Sequence, residues 1–342
     1  MSREKRLELI EKLENKRGTK IISFILGDRP SLETKIHSEV LPRLYKLLDI
    51  AYKGKNERPL DLILYSVGGI TTAAWGIANL LNEFCSYYNV LVPYKAFSAA
   101  TLICLGAREI VMTRLSQLSP VDPSVNSPFN PPVPGIQNQS PIPLLPVPVE
   151  DCVGYLNLAK KEAGIKENEG MARVFTELVT RVHPLALGSV YRAREQIKML
   201  SEKLLMRNME DKVKMSSIVK TVTQDLYSHD YVIGRTEASE IGLPVTIDVG
   251  IEEILSPLFE VYMDDLELTE PFNVEIESRK AEVSGSKTII YNRAFLESTE
   301  KSYCFQTERR FEEFSVSRPG IPLPEKAIKQ ITILEGWKEG SQ

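Results

Sequence analysis

Residues 61–69 read DLILYSVGG, and residues 92–112 read VPYKAFSAATLICLGAREIVM. The first stretch is an apolar strand pattern that ends in a diglycine. The second joins a strand pattern to a serine, Ser98, that precedes an apolar helix pattern. A diglycine lets the backbone approach a ligand closely and take positive φ values. The two stretches therefore predict one site of backbone N–H donors and a hydroxyl nucleophile, which are the minimum that acyl transfer needs.

Strand and helix patterns alternate on both sides of these stretches. A β-branched run at residues 20–26 predicts a buried strand, helical spacing follows at 41–51 and 71–84, and a short strand pattern occupies 109–113. Alternation of this kind is typical of an α/β layer fold with a parallel sheet. We therefore predict an α/β core.

Two later regions differ from this pattern. Residues 120–148 contain ten prolines and few charges, which excludes a helix or a central strand and predicts an extended arm or a lid. Beyond residue 258 the sequence becomes acidic, with alternating β-rich stretches such as 273–276 and 288–291. The same region is predicted to pack on the core or on a neighbouring subunit.

The predicted domain organisation follows from these changes. A domain over residues 1–258 includes the proline-rich arm, and residues 259–342 form a β-rich C-terminal extension.

Composition limits the classes of function. Apolar residues make up 43% of the 342 residues and charged residues 26%, as in an ordinary soluble globular protein. The net charge of −4 predicts no nucleic-acid partner. The charged N-terminus lacks the apolar segment of a signal peptide, and no apolar run is long enough to span a bilayer. The four cysteines are far apart in the sequence, which predicts reduced thiols and a cytoplasmic protein.

Motifs for cofactors and metals are absent from the sequence. It contains no GxGxxG, P-loop or CxxC pair, so we predict neither a nucleotide cofactor nor a bound metal.

The chain resembles the serine dehydrogenase proteinase family of the Clp/crotonase superfamily, whose shared core is a stack of ββα units. This family is related to signal peptide peptidase A and to the Clp proteolytic subunit. The resemblance covers roughly residues 18–250. Five motifs in the family's order carry it: DLILYSVGG (61–69), VPYKAFSAATLICLGAREIVM (92–112), LSPVDPS (118–124), VHPLALGSVYRAREQ (182–196) and SHDYVIGRTEASEIGLPV (228–245).

The resemblance implies roles for particular residues. Ser98 would be the nucleophile, and Gly68, Gly69 and Ala99 would form the oxyanion hole. A peptide substrate would lie as an added strand beside the diglycine. The resemblance also implies a homo-oligomer.

Two positions depart from the family pattern. The proline before the diglycine is Val67 here, and the small glycine after the serine pair is Ala100.

The general base is left open by the sequence. The Clp subunit uses a histidine that follows its serine, and residues 118–123 contain none, whereas signal peptide peptidases use a lysine. Lys160 and Lys161 lie in the corresponding part of the chain and would give a Ser-Lys dyad, although two adjacent helical lysines are equally typical of a solvated face. A lysine base must be desolvated so that its pKa falls towards neutrality. His229 is the runner-up.

Lys95 is the lysine nearest to Ser98 in the sequence. It lies in a strand three residues before Ser98, so strand alternation predicts that the two side chains point to opposite faces.

These observations predict a cytoplasmic serine peptidase that acts on peptides or unfolded proteins. Ser98 would attack the peptide carbonyl, form an acyl-enzyme and release it to water. The alternative is a catalytically inactive oligomeric scaffold of the same fold, which binds peptides or a partner protein and uses Ser98 only to cap a helix. A third hypothesis, a crotonase-like acyl-coenzyme A enzyme, is disfavoured because that chemistry needs no nucleophile at this turn.

Overall fold

The computed structural model describes residues 2–53, 58–121, 124–125, 127–133, 142–226, 228, 230–283, 287–316 and 325–340. The chain forms two compact units. The first contains Met1–Gln117 together with Pro244–Gln342, and the second contains Leu118–Leu243.

Helices and strands alternate through the N-terminal part of the chain, followed by a run of helices and, at the end, by three consecutive strands. In chain order they are α1 (Ser2–Arg17), β1 (Lys20–Leu26), a 3-10 turn (Ser38–Val40), α2 (Leu41–Tyr52), β2 (Leu60–Tyr65), α3 (Thr71–Phe84), β3 (Tyr88–Val92), β4 (Lys95–Ala96), α4 (Ala99–Leu105), β5 (Ile110–Met112), β6 (Gln117–Leu118), β7 (Ser124–Val125), β8 (Val147–Pro148), α5 (Val149–Asn157), a π-helical turn (Leu158–Glu162), α6 (Asn168–Arg181), α7 (Pro184–Leu205), α8 (Lys212–Lys220), a second π-helical turn (Thr221–Asp225), β9 (Ile233–Gly234), α9 (Arg235–Ile241), β10 (Val245–Thr246), α10 (Val249–Asp265), α11 (Val274–Val283), β11 (Thr288–Glu297), β12 (Ser302–Val316) and β13 (Glu325–Glu339). The predicted domain boundary after residue 258 falls within α10.

One eight-stranded sheet organises the first unit. Its strand order is β10-β5-β3-β2-β1-β11-β12-β13. The strands from β10 to β1 pair in parallel. The strands from β11 to β13 add to β1 as antiparallel neighbours. The structure therefore confirms the predicted α/β fold with a parallel sheet and a β-rich C-terminal region.

Burial explains why continuous apolar runs form the central strands. Six of the seven residues of β1 and all six of β2 are buried. Parallel strands are covered on both faces, so they read as apolar runs rather than as alternating patterns. The core that covers them includes Ile10 and Leu13 of α1 and Phe259 and Tyr262 of α10.

Residues 273–276 form the start of a helix, and the prediction of a β-rich stretch there is wrong. The side-chain oxygen of Asn273 accepts the N–H groups of Glu275 and Ile276, at 2.9 and 3.2 Å. This hydrogen bonding is that of an N-cap, which begins α11. The capping residue overrides the alternating pattern. The predicted strand over 288–291, in contrast, lies within β11.

The described parts of the proline-rich arm contain short extended segments and a turn, in which the N–H of Asn130 donates to the carbonyl of Ser127 at 3.0 Å. β7 pairs with β8 in antiparallel fashion, and Pro132 forms an isolated bridge with Leu144. Residues 122–123, 126 and 134–141 of the arm lie outside the described residues.

A buried arginine joins three elements of the first unit. Arg6 of α1 donates to Glu297 of β11, with 2.6 Å between Nε and Oε1, and also pairs with Asp265 of α10. The hydroxyl of Tyr262 donates to the same Glu297 oxygen at 2.6 Å. The Arg6 guanidinium lies 4.4 Å from the ring centre of Phe295. This cluster holds α1 and α10 against the strand that joins the C-terminal region to the sheet.

Candidate active site

The stretches DLILYSVGG and KAFSAA become neighbours at the carboxyl ends of their strands. Ser66, which follows β2, donates its N–H to the carbonyl of Lys95 at 2.9 Å. Its own carbonyl accepts the N–H of Phe97, also at 2.9 Å. In parallel α/β sheets, ligands bind outside the carboxyl ends of the strands. The sheet thus places the diglycine and the serine turn where a ligand would bind.

Ser98 has a strained backbone conformation. Its φ of 51° and ψ of −112° place a non-glycine residue at positive φ, directly before α4. Such a conformation costs about 1–3 kcal/mol and persists only where the surrounding structure holds it. The Ser98 side chain makes no capping hydrogen bond to α4, so the N-cap role that would support the scaffold hypothesis is not observed. A strained strand-to-helix turn is the geometry that presents a nucleophilic serine.

The diglycine lies against this serine. Gly68 and Gly69 have φ values of 108° and 151°. A β-carbon built on Gly68 would lie 3.0 Å from Ser98 Cβ and 3.5 Å from Ser98 Oγ. A β-carbon on Gly69 would lie 2.4 Å from both the nitrogen and the oxygen of Ile36. Glycine at both positions therefore allows two close approaches, one to the serine and one to Ile36.

Ile36 fixes the orientation of the peptide unit between the two glycines. Its N–H donates to the carbonyl of Gly68 at 2.8 Å, and its carbonyl accepts the N–H of Ile70 at 2.8 Å. In a trans peptide the carbonyl and the following N–H point in opposite directions. The N–H of Gly69 therefore faces away from Ile36. The N–H of Gly68 is instead donated to Ser66 Oγ at 3.0 Å.

Among the described residues, the N–H groups of Gly69 and Ala99 donate to no backbone carbonyl. The N–H of Ala99 belongs to the first turn of α4, where no intrahelical acceptor exists. Of the predicted oxyanion-hole residues, Gly69 and Ala99 can thus donate an N–H to a ligand. Gly68 has no side chain and therefore allows Ser98 to lie close to the diglycine.

Two of the three candidate bases, Lys160 and Lys161, lie among the described residues. Lys160 and Lys161 belong to the π-helical turn of the second unit, and both are exposed. His229 lies outside the described residues. Lys95 Nζ forms an ion pair with Asp28 Oδ2 at 2.8 Å. Within the first unit, the structure thus brings together Ser98, which is the predicted nucleophile, and the diglycine of the predicted site.

Sequence reasoning missed two residues of the site. Ile36 orients the Gly68 carbonyl, and Asp28 contacts Lys95. The sequence around Ile36 and Asp28 does not indicate a role in the site, because each residue contacts a segment more than thirty residues away.

Other kinds of site find no support among the described residues. No group of three or more His, Cys, Asp or Glu side chains there could hold a metal ion. The same part of the chain contains no helix that is long and apolar enough to cross a membrane. All four cysteines are buried and free of disulfides.

Comparison with known proteins gives sequence relatives and a partial structural likeness. The uncharacterized protein MJ0137 of Methanocaldococcus jannaschii is 26% identical over 266 residues, which cover 75% of this chain and 78% of the relative. The uncharacterized protein MJ1495 of the same organism is 25% identical over 256 residues, which cover 72% and 73%. The structure of ClpP1 from Listeria monocytogenes is 15% identical, with a TM-score of 0.37 over 70% of this chain and 98% of that one.

A family pattern matches the part of the chain that carries the site. Residues 1–139 match the family described as ClpP-like SDH-type serine proteinase. This range includes the diglycine, Ser98 and the two missed residues, Asp28 and Ile36. The match confirms, over residues 1–139, the resemblance predicted from the motifs: this part of the chain is similar to ClpP-like SDH-type serine proteinases.

Proposed function

We propose that this protein is a serine peptidase that hydrolyses peptide bonds through an acyl-enzyme on Ser98. The observation that carries the proposal is the strained turn at Ser98, which lies against Gly68 and does not cap its helix. Strain of this kind is retained where it contributes to a mechanism. The family match over residues 1–139 supports the same class of enzyme.

The proposed reaction uses the two N–H groups beside the serine. Ser98 Oγ attacks the carbonyl carbon of the substrate and gives its proton to the base. The carbonyl oxygen becomes an oxyanion that accepts hydrogen bonds from Gly69 and Ala99. Loss of one such donor costs about 2.7–4 kcal/mol in the barrier. The protonated base then gives this proton to the leaving amine as the tetrahedral intermediate collapses to the acyl-enzyme. Water attacks the acyl-enzyme, the base takes a proton from that water and returns it to Ser98 Oγ, and the carboxylic acid product leaves.

The proposed substrate is an extended peptide. The N–H of Gly69 faces away from Ile36, so Ile36 occupies only one side of the diglycine segment. The other side can pair with a peptide as an added β-strand. Because a folded protein rarely offers such a free strand, peptides and unfolded proteins are the substrate class.

The proposed base is Lys160 or Lys161, ahead of His229. Both lysines are exposed in the single chain, and a lysine acts as a base only when water is excluded from it. A homo-oligomer would supply that exclusion if a neighbouring subunit covered the lysine. This requirement is the reason that we propose an assembled enzyme.

Hydrolysis of an unfolded casein and an extended fluorogenic peptide tests the function and identifies the base. We expect the wild-type protein to cleave both substrates. Loss of the base lowers kcat by about 10²–10⁴-fold. The variants Lys160→Met, Lys161→Met and His229→Ala separate the three candidates, and Lys166→Met is the matched control for an exposed lysine of the same unit. An absence of cleavage by the wild-type protein would contradict the proposal.

The alternative function is an inactive oligomeric scaffold that binds peptides or a partner protein. The exposure of Lys160 and Lys161 is the observation that favours it. The scaffold would bind an extended peptide without cleaving it.

Replacement of Gly68 by alanine is expected to lower kcat/KM at least tenfold. The free energy of unfolding should fall by only about 1–3 kcal/mol. The added β-carbon would lie 3.0 Å from Ser98 Cβ, so the serine must move. Steady-state kinetics and thermal unfolding measure the two effects. Gly18→Ala is the control, because Gly18 has a φ of 66° and open space around its α-carbon. Equal kinetic losses in both variants would show that the contact with Ser98 is irrelevant.

A further inference from the structure

Asp28 lies between the two segments that form the site. It follows β1, and its two carboxylate oxygens have different partners. Oδ1 accepts the hydroxyl hydrogen of Tyr65. Oδ2 pairs with Lys95 Nζ at 2.8 Å.

The two partners occupy corresponding places at the ends of their strands. Tyr65 is the last residue of β2 and directly precedes Ser66, which leads into the diglycine. Lys95 is the first residue of β4 and directly precedes the Ala96-Phe97-Ser98 turn. One carboxylate therefore holds both the segment with the Gly69 donor and the segment with the nucleophile.

The three side chains of this contact are buried or largely buried. Tyr65 is 1% exposed, and its ring packs 4.8 Å from Phe259 and 6.1 Å from Tyr94, between ring centres. Burial, together with the charge of Asp28, raises the pKa of Tyr65 well above its usual range, so its hydroxyl stays protonated and donates. The side chains of Asp28 and Lys95 are only 18% and 23% exposed. Hydrogen bonds to a charged group are stronger than neutral ones.

We propose that Asp28 is a positioning residue that sets the distance between the N–H of Gly69 and Ser98 Oγ. The inference rests on the proposed function, because it is the oxyanion that must fit between these groups. It does not place Asp28 in contact with the substrate. A displacement of about 1 Å between reacting groups can cost about 10²-fold in rate.

The test compares Asp28→Asn with Glu300→Gln. Glu300 pairs with Lys20 at 2.8 Å, with side-chain exposures of 34% and 23%, so it offers a similar ion pair at the opposite end of β1. We expect Asp28→Asn to lower kcat about 10–100-fold with little change in KM. Glu300→Gln should leave both constants unchanged. Tyr65→Phe, which keeps the buried ring, should lower kcat in the same direction as Asp28→Asn.

Hydrogen exchange provides a readout that does not depend on activity. In Asp28→Asn, the hydrogen-bonded amides of Ser66, Gly68, Ile70 and Phe97 should exchange at least about tenfold faster, while the start of β1 is unchanged. Unchanged exchange in both segments, in Asp28→Asn and in Tyr65→Phe, would overturn the positioning role, whether or not the protein is a peptidase. If the wild-type protein does not hydrolyse the peptide but the amides of both variants exchange faster, only the peptidase proposal is contradicted. Equal kcat losses in Asp28→Asn and Glu300→Gln would also overturn the positioning role.

Discussion

Replacement of Ser98 by alanine is expected to lower kcat for peptide hydrolysis by at least about 10⁴-fold. The side chain lost is the proposed nucleophile, and the Gly69 and Ala99 donors alone cannot form an acyl-enzyme. The effect is measured by steady-state hydrolysis of the extended peptide at saturating concentration.

Folding serves as the control for this variant. Ser98→Ala leaves the capping of α4 unchanged, so we expect the variant to remain folded and to unfold cooperatively on heating. Peptide binding should also survive, because the diglycine edge is unchanged. Hydrolysis by Ser98→Ala at more than a few per cent of the wild-type rate would show that another group is the nucleophile.

Replacement of Arg6 by methionine is expected to lower the free energy of unfolding by about 3–5 kcal/mol. The Glu297 side chain is fully buried, and Arg6 is the charge that compensates it. Without Arg6, the carboxylate keeps the hydroxyl of Tyr262 but loses its cationic partner. Urea unfolding measures the change.

A double variant separates the charge from the packing. Breaking a buried ion pair is costly, whereas apolar replacement of both partners is often nearly neutral. We therefore expect Arg6→Met/Glu297→Met to regain more than half of the stability lost in Arg6→Met. A single variant as stable as the wild-type protein would contradict the role given to this cluster.

Much of the α/β core follows from local sequence. β1 and β2 are predicted by continuous apolar runs because both strands are buried on both faces. The addition of β11 to β1 cannot be predicted in this way. It pairs Ser23 with Glu297 across most of the chain, and no local pattern encodes that register. The wrong prediction at 273–276 has a local cause, since the cap at Asn273 outweighs a short alternating pattern.

Some residues of the site can also be predicted from local sequence, and others cannot. Ser98 and the diglycine have local signals, a serine before an apolar helix and two glycines after a strand. Asp28 and Ile36 acquire their roles only through contacts made in the folded sheet. The base has no decisive signal in the sequence. A lysine can lose its proton near neutral pH only when burial lowers its pKa, and burial is not encoded next to the lysine in the sequence.

Reaction with a fluorophosphonate, followed by peptide mapping, tests the central claim most directly. Such a probe modifies a serine only when the hydroxyl is activated and an oxyanion hole receives the phosphoryl oxygen. The account predicts one adduct, located on Ser98, that is absent from Ser98→Ala and forms more slowly in Gly68→Ala. An unmodified wild-type protein, or an adduct on another residue, would contradict it.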